Sequence, residues 1–139
     1  MTSGPRPNNE FERLKALQTY DILNSISEKE FDDLTQLATQ ICGTKIALIS
    51  LIDENRQWFK SVIGIEVSET PREFAFCAHA INSPNEPFIV EDSRLDNRFK
   101  DDPLVVGNPH VVFYAGIPLV NDENYALGTL CAVSYTHLR

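Results

Sequence analysis

Cys77 and His79 are the residues whose types best suit metal ligation, and they stand two positions apart. Side chains at i and i+2 share a face only in extended backbone. The preceding Thr70-Pro71-Arg72-Glu73 has the pattern of a capping box with proline at the first helical position, and it predicts a helix over 70–81. On a helix the two side chains point about 200° apart, and no second Cys/His pair supplies the other zinc ligands. We therefore expect no metal site and interpret Cys77 as a small buried apolar residue.

Arg72, Phe76 and His79 fall at i, i+4 and i+7 of the same predicted helix, so they would share one face. A guanidinium, an aromatic ring and an imidazole along one stripe suit an anionic or planar ligand. In the alternative interpretation, which we favour, Arg72 pairs with a loop carboxylate such as Glu69 or Asp92, and His79 bonds to backbone. Only the first interpretation makes all three ligand-binding residues.

The other candidates are two aromatic residues and two further thiols. Phe99 is the one aromatic side chain of a charged, turn-rich segment, and Tyr114 lies in a predicted strand. Either residue is suited to a pocket wall or to packing. We expect Cys42 and Cys131 in the core, and no sequence motif joins Cys77 to Cys131 as a dithiol site. Because no Ser/His/Asp set, glycine-rich phosphate loop or paired-carboxylate motif is visible, we expect no enzymatic activity.

The elements that would position these residues follow from hydrophobic periodicity. A first helix begins after Asn9, with Phe11, Leu14 and Leu17 on one face, and a second begins at a capping box headed by Ser27. The apolar residues of the second helix repeat at spacings of three and four, which predicts that they face the core: Phe31, Leu34, Leu37, Ala38 and Ile41. Apolar runs predict strands at residues 46–52, 57–63, 88–90, 111–120 and 126–133.

Short polar turns connect two pairs of these strands. Residues 53–56 and 121–124 are turn sequences, so the flanking strands form hairpins and pair antiparallel. Asp102-Pro103 predicts the start of a single helical turn. Pro118 must lie at a bulge or at a sheet edge, because proline donates no ladder hydrogen bond. The order of elements predicts an α+β fold on a mostly antiparallel central sheet.

Composition and charge exclude several classes of function. The chain has 139 residues, with 12 Lys and Arg against 20 Asp and Glu, and a net charge of −8. This acidity argues against binding to nucleic acid or to an anionic membrane. The longest apolar run, Ile46–Ile52, is too short to span a bilayer, and no export signal opens the sequence. Three scattered cysteines indicate reduced thiols, and we expect a cytoplasmic protein.

Eight segments, in this order along the chain, together resemble a GAF domain, a small-molecule sensor module of bacterial signalling proteins. The segments are FDDLT (31–35), IALISL (46–51), RQWFKS (56–61), ETPRE (69–73), AFCAHAI (75–81), FKDDPL (99–104), FYAG (113–116) and LGTLC (127–131). The resemblance implies five or six antiparallel strands, N-terminal helices on one face, and a pocket on the other face roofed by a helix and loops.

The resemblance also implies a function. It implies a regulatory domain that senses a small molecule, of unknown identity, and controls a linked output domain such as a histidine kinase or a diguanylate cyclase. One alternative is a ligand-free interaction domain that forms homodimers through its terminal helices. A second alternative is a thiol-dependent reductase of free methionine sulfoxide, as in one enzymatic branch of the family.

Two subgroup motifs are incomplete in this chain. Bilin-binding relatives attach the pigment through a cysteine followed directly by histidine, whereas this sequence has Cys77-Ala78-His79, so a covalent bilin is not expected. Asn97-Arg98-Phe99 resembles an element of cyclic-nucleotide-binding relatives, but we interpret Phe99 as the residue that anchors its loop to the core.

The expected domain organisation has three parts. Residues 1–8 are predicted to be a disordered lead-in, residues 9–133 a single domain, and residues 134–139 a tail that is a candidate non-native junction. Members of the family usually continue into a C-terminal helix at this point. We expect that helix and the output domain to be missing from this sequence.

Overall fold

The computed structural model describes residues 3–19 and 29–136. The predicted cap at Ser27 and the end of the predicted tail lie outside the described residues. The helices and strands follow one another in this order: α1 (Glu10–Thr19), α2 (Lys29–Cys42), β1 (Ile46–Ile52), β2 (Arg56–Ile63), β3 (Glu69–Pro71), α3 (Cys77–Ala80), β4 (Phe88–Val90), α4 (Pro103–Val106), β5 (Phe113–Val120) and β6 (Ala126–Ser134).

A six-stranded antiparallel sheet in the order β3-β2-β1-β6-β5-β4 forms the centre of the molecule. Every residue of β1 is buried, because the strand is covered on both faces. The α+β fold and the hairpins β1–β2 and β5–β6 are confirmed. The main apolar core lies on the face that carries α3, and a smaller apolar layer lies under α1.

The segment between β2 and β4 differs from its prediction. Residues 69–71 form the edge strand β3, Arg72–Phe74 form one 3₁₀ turn, Ala75 is extended, and the helix α3 has four residues only. The predicted continuous helix over 70–81 is therefore wrong. The pairing of Thr70 with Gln57 on β2 outweighs the local capping pattern, and the Gln57 side-chain amide donates to the Thr70 hydroxyl at 3.0 Å.

The two N-terminal helices pack on the sheet in an unexpected way. Leu17 of α1 is buried against Leu51 and Leu127, but Phe11, which was predicted on the same face, is 75% exposed. Helix α2 buries Thr35, whose hydroxyl lies 2.9 Å from the Ser61 hydroxyl of β2. Of its five predicted core residues, Phe31 and Ala38 are half-buried, and the other three are exposed: Leu34, Leu37 and Ile41.

Two proline positions agree with their predictions. Pro118 pairs with Thr129 on β6 and lies in the part of β5 beyond the residues that pair with β4, which is a sheet edge among the described residues. Pro103 opens α4, and the Asp102 carboxylate accepts a hydrogen bond from the Leu104 amide at 2.8 Å.

Candidate functional site

A cavity of about 670 Å³ lies on the face of the sheet opposite α1 and α2. Strands β1, β2, β5 and β6 contribute its floor, and α3 with the segments 64–67 and 108–109 contributes its walls. Most lining side chains are apolar, and Glu66 is the one charged residue among the described residues that line it. This lining suits an uncharged, mostly apolar molecule.

The five candidate ligand-binding residues separate into two groups. Phe76 and Tyr114 line the cavity, whereas Arg72, His79 and Phe99 are not among its lining residues. Phe99 stacks on Phe76 with ring centroids 4.1 Å apart, and the His79 ring meets the Phe99 ring edge-on at 4.7 Å. Phe99 is buried, so it anchors its polar loop against Phe76, on the side of that ring away from the cavity. Their roles in binding remain predictions.

The Arg72 side chain reaches α1 and does not line the cavity. Its guanidinium donates to the Glu10 carboxylate on α1, with Nη2 3.1 Å from Oε1, and to the Asp53 carbonyl at 3.1 Å. The expected partners Glu69 and Asp92 pair with Arg56 and Arg94 instead. Because residues 72–80 do not form one helix, Arg72, Phe76 and His79 do not share a face.

Two cysteines far apart in the sequence meet at the floor of the cavity. The Sγ atoms of Cys77, at the start of α3, and Cys131, in the middle of β6, lie 4.0 Å apart, and both residues are buried. No sequence motif joins these thiols, and the fold brings them together across 54 positions of the chain. The sequence carried no signal for this proximity, because strand register and the position of α3 bring the thiols together. Cys42, expected in the core, is exposed.

Hydroxyl groups surround the Cys77 sulfur. Thr129 Oγ1 donates to Sγ at 2.9 Å, and the Tyr114 hydroxyl lies 3.0 Å from it. Ser50, which pairs with Thr129 across β1 and β6, places its hydroxyl 3.0 Å from Thr129 Oγ1. A methyl group at Gly116 would lie 2.8 Å from Cζ of Tyr114, so the absence of a side chain there allows the phenol to lie across β5.

These contacts shift the pKa values of the two thiols in opposite directions. Burial alone would raise the pKa of Cys77, but hydrogen bonds from Cys131 and the surrounding hydroxyl groups stabilise its thiolate and lower the pKa to about 7. Burial and the neighbouring Cys77 raise the pKa of Cys131. The hydrogen bonds therefore favour ionisation of Cys77 over ionisation of Cys131.

A family model described as "GAF domain" matches residues 27–139. The chain belongs to the GAF domain family. A curated relative, the cyclic di-GMP phosphodiesterase PA2567 of Pseudomonas aeruginosa, is 40% identical over 133 residues. That match covers 96% of this chain and 22% of the relative, so this domain spans about a fifth of the relative's length.

Solved structures show the same fold at low sequence identity. The GAF domain of the phosphoenolpyruvate-protein phosphotransferase from Acinetobacter matches with a TM-score of 0.61 and 15% identity, over 94% of this chain and 80% of that one. The type II free methionine-R-sulfoxide reductase from Thermoplasma acidophilum matches with a TM-score of 0.60 and 11% identity, over 78% of this chain and 74% of that one. These similarities show the GAF fold alone.

The described residues also bear on metal binding and on membrane insertion. In residues 3–19 and 29–136, no group of three or more His, Cys, Asp or Glu side chains is placed to hold a metal ion. None of the helices in this described part is long and apolar enough to cross a membrane.

Proposed function

We propose that this GAF domain is a regulatory sensor that binds a small, uncharged and mostly apolar molecule in the cavity. The observation that carries the proposal is the cavity of about 670 Å³ between the sheet and α3, whose lining is apolar apart from a few polar groups. Ligand binding there would favour one packing of α3 against the sheet over another, which is how a sensor domain shifts a conformational equilibrium.

The charges around the cavity support this class of ligand. The guanidinium of Arg72, which could have held an anion, is engaged by Glu10 on the other side of the chain. A phosphate or nitrate group would meet Glu66 and no lining cation among the described residues, so its desolvation would be uncompensated. Cyclic nucleotides and other anions are therefore poor candidates for this cavity.

The proposed output is a linked domain that acts in cyclic di-GMP signalling. This proposal is supported by the name of the relative from Pseudomonas aeruginosa, a cyclic di-GMP phosphodiesterase. The region that matches this chain makes up 22% of that relative's length. In this role the chain itself is not catalytic, and a histidine kinase output has less support. We propose that the protein acts in the cytoplasm, a reducing compartment that suits its free cysteines.

Binding to the cavity is tested with 1-aminoanthracene, an uncharged apolar fluorophore, alongside a thermal-shift screen with haem, bilins and cyclic nucleotides. We expect saturable binding of the fluorophore and no stabilisation by cyclic nucleotides. Val67 lines the cavity mouth, so Val67→Trp should abolish binding, whereas Val120→Trp should not. Val67 and Val120 are 41% and 43% exposed, so the two substitutions are matched. Equal fluorophore binding by the two variants would contradict the proposal.

The second candidate is an interaction domain that pairs with a second copy of the chain. The specific observation is the outward face of α2, where Leu34, Leu37 and Ile41 are spaced by three and four residues as in a coiled-coil seam. This face replaces the predicted face of α1, because Leu17 is buried within the domain. An exposed apolar stripe of this kind indicates an interaction surface.

Sedimentation velocity over a range of concentrations tests this candidate. We expect a reversible dimer for the wild type and a monomer for Leu37→Asp, because a carboxylate would be buried in the seam. Leu95→Asp is the control, since Leu95 is 82% exposed and lies away from α2. A wild type that stays monomeric at high concentration rules out the pairing.

A further inference from the structure

The strongest feature that the proposed function leaves unused is the buried thiol pair at the cavity floor. A cysteine that served only as a small apolar residue would be surrounded by carbon. Cys77 instead contacts two hydroxyl groups and a second thiol, all of them buried. Such a group of polar atoms within an apolar core requires a chemical explanation.

The hydroxyl groups around Cys77 are placed so that they can stabilise a thiolate there. Thr129 donates its hydroxyl hydrogen to Cys77, so the remaining contact between Ser50 and Thr129 is one in which Ser50 donates. This gives a chain of hydroxyl groups that all donate toward the sulfur. The Tyr114 hydroxyl completes the arrangement from β5, and it donates once the sulfur is a thiolate.

We propose that Cys77 and Cys131 form a hydroperoxide-reactive dithiol, in which Cys77 is the attacking thiolate and Cys131 the resolving thiol. The lowered pKa of Cys77 and the raised pKa of Cys131 fit these roles. Both thiols line the cavity, and the hydroperoxide, which is uncharged, suits the apolar walls through which it must pass.

One hydroperoxide molecule is the two-electron oxidant that converts the two thiols to a disulfide. The Cys77 thiolate attacks the terminal oxygen, the O–O bond breaks, and the alkoxide leaves and takes up a proton, so that Cys77 becomes a sulfenic acid. The Cys131 thiol then loses its proton and attacks Cys77 Sγ, and the hydroxyl group of the sulfenic acid leaves with that proton as water. Two thiols and one hydroperoxide thus give one disulfide, one alcohol and one water.

Disulfide formation would change the geometry of the cavity. The Sγ atoms lie 4.0 Å apart and must approach by about 2 Å to form the bond. Since Cys77 opens α3 and Cys131 belongs to the central strand β6, the closure draws the wall of the cavity toward its floor. The inference does not depend on binding of the small molecule proposed above, because the thiols are expected to react in the protein without a cavity ligand.

The first test treats the reduced protein with one equivalent of cumene hydroperoxide or hydrogen peroxide at neutral pH and maps the products by mass spectrometry. We expect a Cys77–Cys131 disulfide in the folded wild type. With Cys131→Ser, reaction should stop at a sulfenic acid on Cys77 that dimedone traps, and Cys77→Ser should remove both products. Cys42→Ser should react as the wild type does, because Cys42 is exposed and distant from the pair.

The second test measures the role of the hydroxyl groups as positioning groups. The rate of Cys77 alkylation by iodoacetamide should follow thiolate formation, so its pH-rate profile should have a midpoint below the ordinary thiol value of about 8.5. Tyr114→Phe and Thr129→Val should each shift the pH-rate profile upward by about one unit, which is about tenfold in rate below the midpoint. A merely structural role of these residues would lower the melting temperature and leave the profile in place.

Three results would overturn the proposal. The first is a wild type that, folded and treated with peroxide, yields no Cys77–Cys131 disulfide. The second is a pH-rate profile of Cys77 alkylation whose midpoint lies at or above the ordinary thiol value of about 8.5. The third is faster oxidation of the pair by free methionine sulfoxide than by either hydroperoxide, which would make the protein a sulfoxide reductase instead. Because these measurements use no cavity ligand, they stay separate from the 1-aminoanthracene experiment.

Discussion

Glu10 pairs with two buried guanidinium groups: that of Arg13, which lies on α1 itself, and that of Arg72, which joins α1 to the rest of the domain. Its carboxylate accepts hydrogen bonds from Arg13 Nε at 3.0 Å and from Arg72, and Arg6 adds an exposed ion pair at 3.0 Å. Arg13 is 0% exposed and also donates to the Ile52 carbonyl at 2.8 Å. Removing the charge of Glu10 therefore leaves two buried cations close together without their counter-ion.

The magnitude follows from the pKa of Glu10. Burial opposes ionisation, but hydrogen bonds from Arg72 and Arg13 outweigh it and lower the pKa from 4.5 to about 2. That difference corresponds to about 3 kcal/mol of preference for the charged form in the folded state. Because the side chain remains 16% exposed and solvent screens the pairs, we expect Glu10→Gln to cost about 2 kcal/mol at neutral pH. In a domain of this size, this corresponds to a fall in melting temperature of about 8 °C.

Urea and thermal unfolding of Glu10→Gln test this prediction, with Glu12→Gln as the matched control on the exposed side of α1. The folded-state pKa lies below the ordinary value, so the stabilisation is fully present above pH 4.5 and is lost as the pH falls toward 2. The wild type should lose this contribution in acid, and Glu10→Gln should lack that step. Stabilities of the two variants within about 0.5 kcal/mol of each other would refute the reasoning.

Three further substitutions have defined outcomes. Burial raises the pKa of Asp102 to about 6, so ionisation of this carboxyl group destabilises the fold as the pH rises through that value. Asp102→Asn should therefore raise the free energy of unfolding in urea at alkaline pH and leave it unchanged below about pH 4. Phe99→Ala should cost about 3–5 kcal/mol in urea unfolding, whereas Leu95→Ala on the same loop should cost less than about 0.5. Gly116→Ala should displace the Tyr114 ring, lower stability by about 1–3 kcal/mol, and slow alkylation of the adjacent thiol by iodoacetamide.

Local patterns were sufficient wherever neighbouring residues determine the structure. The apolar run of β1, the turns of both hairpins and the cap at Asp102 were predicted, because each depends on a few consecutive residues. The segment 70–81 was mispredicted because Thr70 pairs with Gln57 across a sheet edge, a contact that local propensity does not contain. The family resemblance supplied the position of the pocket, which periodicity alone did not.

The orientation of α2 shows a second limit of pattern analysis. The repeat of apolar residues correctly predicted the helix, but three of the five residues that it assigned to the core are exposed. The Ser61 hydroxyl donates to Asp32 at 2.6 Å and lies 2.9 Å from the Thr35 hydroxyl, so a polar cluster holds α2 to the sheet. A stripe of apolar residues at helical spacing indicates that one face of the helix needs a partner, but it does not indicate whether that partner is the same domain.

The candidate site could be predicted only in part, for a related reason. Phe76 and Tyr114 were placed in a pocket by their type and by the resemblance, whereas the thiol pair depends on where β6 lies relative to α3. The segment 72–80 then connects the two functional regions, because Arg72 at one end is paired with α1 and Cys77 lies at the cavity floor. Four residues separate them, too few to absorb a shift of α3 in a flexible loop. A bound molecule or a disulfide at the cavity should therefore also displace Arg72 and change its ion pair with Glu10. Glu10→Gln should weaken this coupling between the cavity and α1 without changing the positions of the thiols.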